Sequence, residues 1–201
     1  MSVLDLMWTP RNLTVETIPK YIRHSYEDEE EFRSTNKSAV IWVTPHYGNF
    51  EWMPIEWGLS QETKPMIVAE DFRNPALTPI FKRLRECTGI SVIPQERAMM
   101  RLLKHSKRGG QSAFLTDLRV KPSKAATIIE CFGMKTSVTA MHAFLAQRTG
   151  VAIIPVISLP QADGTYVFHF HKRLSIADDT SPQAIAQQCW DVFERTIRET
   201  P

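Results

Sequence analysis

Short apolar runs alternate with helical patterns along this chain, and that alternation constrains the fold more than any other feature. Seven runs predict strands: Ala39–Thr44, Pro65–Ala69, Ile90–Pro94, Ser112–Thr116, Ala126–Cys131, Ala152–Leu159 and Tyr166–His171. Helical spacing predicts helices at Val15–Glu30, Phe50–Trp57, Leu77–Cys87, Glu96–Lys107, Thr139–Arg148 and Ser181–Glu199. Asp163-Gly164, before the last strand, is a hairpin turn signal. The chain is therefore predicted to be an α/β protein with a mixed, mostly parallel sheet flanked by helices.

The length of 201 residues is typical of one domain. We predict that residues 1–33 form a helical lead-in, residues 34–160 the core, and residues 161–201 a hairpin strand and a C-terminal helix. The net charge of +2 is too small to indicate a nucleic-acid partner.

Cysteine content and hydropathy constrain the compartment. The three cysteines, Cys87, Cys131 and Cys189, are odd in number and lack metal-ligand spacing, which favours a reducing compartment. No uncharged run reaches the ~20 residues that span a bilayer. The first residues lack the basic-then-apolar order of a signal peptide.

The richest stretch for chemistry follows the first predicted core strand, which Pro45 ends. His46 comes next, and Glu51 opens the following helix. Because Gly48 and Asn49 accept left-handed backbone angles, a turn between them can bring the imidazole and the carboxylate together. A carboxylate on one ring nitrogen leaves the other as a base. The alternative is a loop histidine beside an acid that the helix dipole favours.

Other histidines give weaker signals. His169 and His171 are two apart on a strand, so they share a face and would supply half of the ligands of a metal site. We find no carboxylate or cysteine of suitable spacing to complete it, and we expect no metal. His105 is expected to be solvated and His142 packed. The sequence contains no G-x-S-x-G, Walker or G-x-G-x-x-G motif.

The chain resembles the glycerolipid and lysophospholipid acyltransferase superfamily, and most closely the bacterial lipid A biosynthesis acyltransferases. The family motif is His, four residues, then Asp or Glu, and here it reads His46-Tyr47-Gly48-Asn49-Phe50-Glu51. The resemblance covers about residues 34 to 160. Its weaker elements are Asn74-Pro75, Arg85, Gly89, Gly109-Gly110, Asp117, Phe132-Gly133, Thr149-Gly150 and Pro155. Glu70-Asp71 and Leu118 depart from the family pattern, which has Arg-Pro and Gln there.

The resemblance implies a reaction and roles for residues. An acyl thioester of acyl carrier protein or coenzyme A donates a fatty acyl group to a hydroxyl of a lipid or glycolipid, without cofactor or metal. His46 is then the general base and Glu51 orients it. Backbone N–H groups around Gly48 and Asn49 are candidates for oxyanion stabilisation. The substrate-binding candidates are Arg73, Asp117 and Arg119, the two arginines as cations for phosphate.

Two alternatives share these residues. A degenerate member of the family would bind lipid or a partner protein without turnover. A thioesterase would pass the acyl group to water.

A lipid substrate implies peripheral membrane contact, which the resemblance places at the cytoplasmic face of the inner membrane. We expect the contact surface to combine two basic helices with an exposed Trp52 or Trp57. The cations are those of Lys82–Arg85 together with Arg101, Lys104, Lys107 and Arg108. The alternative is that these cations only solvate two helices.

Overall fold

The computed structural model describes residues 3–35, 38–60, 63–69 and 72–200. Glu70 and Asp71, where the sequence departs from the family pattern, lie outside these residues. These described residues include nine strands: β1 (Ile22–Tyr26), β2 (Ile41–Thr44), β3 (Met66–Ala69), β4 (Ser91–Pro94), β5 (Ser112–Leu115), β6 (Ala126–Cys131), β7 (Met134–Thr139), β8 (Ile153–Pro160) and β9 (Tyr166–Phe170). The α-helices are α1 (Val3–Asn12), α2 (Ile18–Tyr21), α3 (Glu29–Ser34), α4 (Trp52–Ser60), α5 (Leu77–Arg85), α6 (Ala98–Ser106), α7 (Met141–Thr149) and α8 (Pro182–Glu199).

Seven strands form one sheet in the order β1-β9-β8-β2-β5-β3-β4. Every neighbouring pair is parallel except β8 and β9, which form an antiparallel hairpin. The predicted α/β class with a mostly parallel mixed sheet is therefore confirmed. β2 lies at the centre, where the chain first runs to one side through β3 and later to the other through β8. Ligands of open α/β sheets bind at such a switch point, beyond the carboxyl ends of the strands.

Both faces of the sheet are buried, as parallel strands require. Along β2, Ile41 and Val43 enter a core shared with residues of α6, α7 and α8. The alternate residue Trp42 enters a second, aromatic-rich core with residues of α1 and α4. These two layers fix β2 rigidly, and its carboxyl end with it.

The predicted helix Val15–Glu30 is wrong in its middle. Residues Ile22–Tyr26 form the edge strand β1, parallel to β9, between the short helices α2 and α3. The tertiary environment decides this segment, because Tyr26 stacks on Phe170 of β9 at a ring separation of 5.2 Å. The lead-in is thus part of the sheet.

A second strand was missed beyond the predicted strand Ala126–Cys131. Met134–Thr139 pairs antiparallel with it as a separate hairpin, β6–β7. Phe132 and Gly133 connect the two strands with φ angles of 50° and 74°. Positive φ at both central residues is the conformation that matches the twist of a two-residue hairpin.

The predicted start of the C-terminal helix at Ser181 is confirmed. Ser181 is the N-cap of α8, and its hydroxyl accepts the backbone N–H of Ala184 at 3.1 Å. The apolar side of α8, which includes Ile185 and Phe193, packs into the core that contains Ile41 and Val43.

Candidate active site

His46 lies directly beyond β2, and two contacts with one carboxylate fix it. Its backbone N–H donates to Asp117 Oδ2 at 2.9 Å, and its Nδ1 lies 2.6 Å from Asp117 Oδ1. Asp117 follows β5, which pairs with β2 in the register Thr44↔Leu115. With Nδ1–H donated to the carboxylate, Nε2 carries the lone pair and is available as a base.

Glu51 has a different partner from the one predicted. Its side chain is only 6% exposed and forms an ion pair with Arg85 at the end of α5. Arg85 Nε donates to Glu51 Oε2 at 2.9 Å, and Arg85 Nη2 donates to Oε1. A buried carboxylate requires such compensation, because desolvation of an unpaired charge is costly.

The predicted contact between His46 and Glu51 is therefore wrong in this structure: Asp117 is the carboxylate that holds His46. Spacing within the motif suggested a turn that joins the two residues. The pairing of β2 with β5 instead places Asp117 beside His46, and this pairing joins residues far apart in sequence. Both His46 and Glu51 nevertheless line the same cleft.

The turn after His46 depends on glycine. Gly48 has a φ of +57°, and a Cβ at this position would lie 2.0 Å from the backbone oxygen of Ser158. The backbone N–H of Asn49 donates to Ser158 Oγ at 3.0 Å. That donor holds the turn against β8, so it is not free to stabilise an oxyanion as predicted. The role predicted for Gly48 stays a prediction.

A cleft of about 400 Å³ opens beside His46, between the carboxyl ends of β2, β5 and β3. Its lining is mainly apolar, and Leu118 at this cleft is 55% exposed. The ionisable side chains in the lining are those of His46, Glu51 and Arg85. The other lining residues are Thr44, Phe50, Pro54, Ile67, Val68, Ala69, Phe72, Gln95, Ala113, Phe114, Leu115, Val120, Ser123, Ala125, Thr139 and Met141. A pocket of this size and polarity is suited to an apolar ligand with a polar reacting end.

The two predicted phosphate-binding cations directly follow the lining residues Phe72 and Leu118, and their role stays a prediction. Arg73 and Arg119 are exposed, and neither is among the residues that line the cleft. The cation in the cleft is Arg85, which the sequence analysis placed on a basic helix face. The signal that identifies it is chemical: Glu51 in an apolar cleft needs a cation nearby.

The predicted apolar membrane contacts are also wrong. Trp52 and Trp57 are 6% and 5% exposed, and both belong to the aromatic-rich core. Trp52 Nε1 donates to Thr9 Oγ1 at 2.8 Å. No helix among the described residues has the length and apolarity needed to cross a bilayer.

The histidine pair on the last strand has a carboxylate beside it that the sequence analysis did not find. Glu27 follows β1, the parallel neighbour of β9, and groups with His169 and His171. The sequence spacing does not reveal this group, because about 140 residues separate Glu27 from the two histidines.

The comparison with known families agrees with the geometry. A family model described as bacterial lipid A biosynthesis acyltransferase matches residues 12–201. The match includes the β1 strand, His46, Asp117 and the whole of α8. No curated protein is similar enough to the chain to count as a relative.

Proposed function

The chain belongs to the bacterial lipid A biosynthesis acyltransferase family, and on that premise we propose how its cleft transfers an acyl group. The donor is a fatty acyl thioester of acyl carrier protein or coenzyme A. The acceptor is a hydroxyl of a glycolipid or lipid. The observation that carries the proposal is His46, fixed by Asp117 at the mouth of an apolar cleft.

In the proposed reaction His46 Nε2 removes the proton of the acceptor hydroxyl. The hydroxyl oxygen attacks the thioester carbonyl, and the tetrahedral oxyanion collapses with cleavage of the C–S bond. The imidazolium returns the proton to the leaving thiolate. Asp117 is the positioning residue in this scheme, because it holds Nδ1–H and stabilises the positive charge that forms on the ring.

Arg85 is the cation available for negative charge in the cleft. Three hydrogen bonds from Nε and Nη2 bind its guanidinium to Glu51, and Nη1 is the nitrogen that remains for an oxyanion or a phosphate oxygen. Glu51 therefore acts in the proposal through Arg85 and not through His46. The apolar lining residues, such as Ile67 and Phe114, accommodate the hydrocarbon chain.

The test measures free thiol released from an acyl thioester with and without acceptor lipid. His46→Ala is expected to lower acceptor-dependent release by about 10²–10⁴-fold, the usual contribution of a general base. Asp117→Asn is expected to cost more than Glu51→Gln, because Asp117 and not Glu51 holds the imidazole. Asp179→Asn, on an exposed residue, is the control.

Three outcomes contradict the proposal. Wild-type rates in His46→Ala would exclude general-base catalysis by this residue. Release that is equal with and without acceptor would indicate a thioesterase. A wild-type protein that binds lipid but releases no thiol would indicate a degenerate member of the family.

The membrane contact is proposed to involve α5. Leu77 and Ile80 of this helix are exposed, and so are the cations of Lys82 and Arg83. Apolar side chains together with cations bind anionic bilayers, at about 1 kcal/mol per cation near the surface. Arg85 is excluded from this surface because it is paired with Glu51 inside the cleft.

Co-sedimentation with anionic liposomes tests this contact. Binding is expected to fall with added salt, and to fall in a Lys82→Glu/Arg83→Glu variant. The variant Lys104→Glu/Lys107→Glu on α6 is the comparison. If the wild-type protein stays in the supernatant at low salt, or binds equally well after the reversal on α5, that helix is not the contact surface.

A further inference from the structure

A group of three possible metal ligands lies at the edge of the sheet away from the cleft. β1 and β9 run parallel with Ser25 opposite His169, and the backbone N–H of Glu27 continues the pairing to Phe170. Side chains two apart on a strand share a face. Ser25, Glu27, His169 and His171 therefore share one face, and His171 reaches Thr196 of α8 there.

The ligand atoms of Glu27, His169 and His171 all lie within 4.8 Å of one another. Two imidazole nitrogens and one carboxylate oxygen are the donors that many open zinc sites use, with water in the fourth position. The side chain of His171 is 2% exposed and that of Glu27 is 33% exposed. The group thus has a closed inner side and a carboxylate next to solvent.

The surrounding hydrogen bonds orient each of these groups. His169 Nδ1 lies 2.6 Å from Ser25 Oγ, and the backbone N–H of Lys172 donates to Glu27 Oε2 at 2.9 Å. His171 Nε2 lies 3.3 Å from Thr196 Oγ1, whose own O–H donates to Val192 O at 3.0 Å.

These contacts match the protonation that a metal requires. In the metal-free chain His171 Nδ1–H donates to Glu27 Oε1 at 3.0 Å, because a carboxylate oxygen accepts. A metal on Nδ1 takes the place of that proton, and the ring N–H then lies on Nε2. Thr196 Oγ1 accepts this N–H, because its own hydroxyl donates to Val192 O. Metal-bound histidines almost always donate their other ring N–H to such an acceptor.

We propose that Glu27, His169 and His171 bind a zinc ion. The ion replaces the hydrogen bond between His171 Nδ1 and Glu27 and takes His169 through Nε2. The site joins β1, β9 and, through Thr196, α8. It lies apart from the catalytic cleft and does not depend on the proposed acyl transfer.

Two charged groups on α8 act on this site. Arg195 Nη2 lies 3.9 Å from Glu27 Oε1 and opposes a cation, whereas the charge of Glu199 acts on His169 and favours one. Arg195 is largely exposed, and such ion pairs are weak. Removal of Arg195 therefore gives a test with a distinctive sign: Arg195→Gln should tighten zinc binding.

The experiment titrates the full metal-free chain with Zn²⁺ by calorimetry and measures the unfolding temperature with and without the ion. One zinc ion per chain and a higher unfolding temperature are expected. Thr196→Val should weaken binding by about 10–100-fold, the usual effect of losing a group that orients a ligand. Glu27→Gln and His169→Asn should weaken it at least as much. Glu29→Gln, an exposed acid on α3, is the control.

The variants also keep the test decisive if one of them fails to fold. Glu27→Gln preserves size at an exposed position, so its circular dichroism spectrum should match the wild type. The proposal is overturned if the wild-type chain binds no stoichiometric Zn²⁺. It is also overturned if Glu27→Gln and His169→Asn bind as tightly as the Glu29→Gln control, or if Arg195→Gln weakens binding.

Discussion

Glu56 of α4, the helix that follows the turn after His46, should make the fold less stable as the pH rises. It is 3% exposed beside the aromatic-rich core, and burial raises its pKa to about 7. The imidazole of His24 lies 3.7 Å away, but burial lowers the pKa of His24, so this partner is neutral at alkaline pH. Within the part of the chain that the structure describes, charged Glu56 is thus left without a compensating cation.

The magnitude follows from linkage between protonation and folding. The pKa of Glu56 is about 7 in the folded chain, against an ordinary value of 4.5 for glutamate. Below the lower value both states hold the proton, and the full stability is present. Between the two values the unfolded chain ionises while the folded chain keeps its proton, so stability is lost progressively. The loss is complete above the higher value, at about 3 kcal/mol. Glu56→Gln mimics the protonated side chain and should remove this loss.

Urea unfolding followed by tryptophan fluorescence measures the effect at pH 5 and pH 8.5. The variant should exceed the wild type by only about 1 kcal/mol at the lower pH and by about 3 kcal/mol at the higher one. Glu96→Gln, an exposed acid, is the control and should show no such difference. If Glu56→Gln raises the free energy of unfolding by the same amount at both pH values, the pKa of Glu56 is not raised in the folded chain and the reasoning is refuted.

Three further substitutions test other parts of the structure. Gly48→Ala should destabilise the chain by more than the ~1–2 kcal/mol of a left-handed alanine, because its Cβ meets Ser158. Gly109→Ala is the control in urea unfolding, since Gly109 has a φ of +81° and open space around it. An equal loss of stability in both variants would exclude the clash. Arg85→Met should cost about 3–5 kcal/mol by leaving Glu51 unpaired, and adding Glu51→Gln should recover most of it in the same assay; no recovery would mean that the pair does not carry the effect. Burial lowers the pKa of His142 to about 4 from the ordinary histidine value of 6.5. The free energy of unfolding should therefore fall by about 3 kcal/mol as the pH drops from the ordinary value to the lowered one. His142→Leu should make that fall shallower in acid titrations of stability, and an unchanged slope would contradict the assignment.

The sequence predicted local features well where they depend on local rules. The end of β2 at Thr44 and the Ser181 cap of α8 follow from apolar runs and capping chemistry. The position of His46 at the carboxyl edge of the sheet also follows from the apolar run that ends before it. Each of these needs only a few neighbouring residues, which is why pattern reasoning reached them.

The missed features depend on residues far apart in the chain. The partner of His46 is set by the pairing of β2 with β5, and that of Glu51 by the docking of α5. β1 forms because β9 offers it an edge with aromatic side chains, although its own spacing favours a helix. The apolar spacing of this segment predicts a helix, but pairing with the neighbouring strand determines its structure.

Under the proposed mechanism, the double contact of Asp117 with His46 makes acyl transfer a measure of correct strand alignment. Asp117 reaches the imidazole only because Thr44 lies opposite Leu115. A slip of one residue between β2 and β5 would turn alternate side chains to the opposite face of the sheet. A misaligned chain could then still bury most of its apolar residues and keep its helices, yet it would have no activity. Specific activity should thus report the fraction of refolded molecules whose central strands are correctly aligned, which bulk spectroscopic probes of secondary structure cannot distinguish.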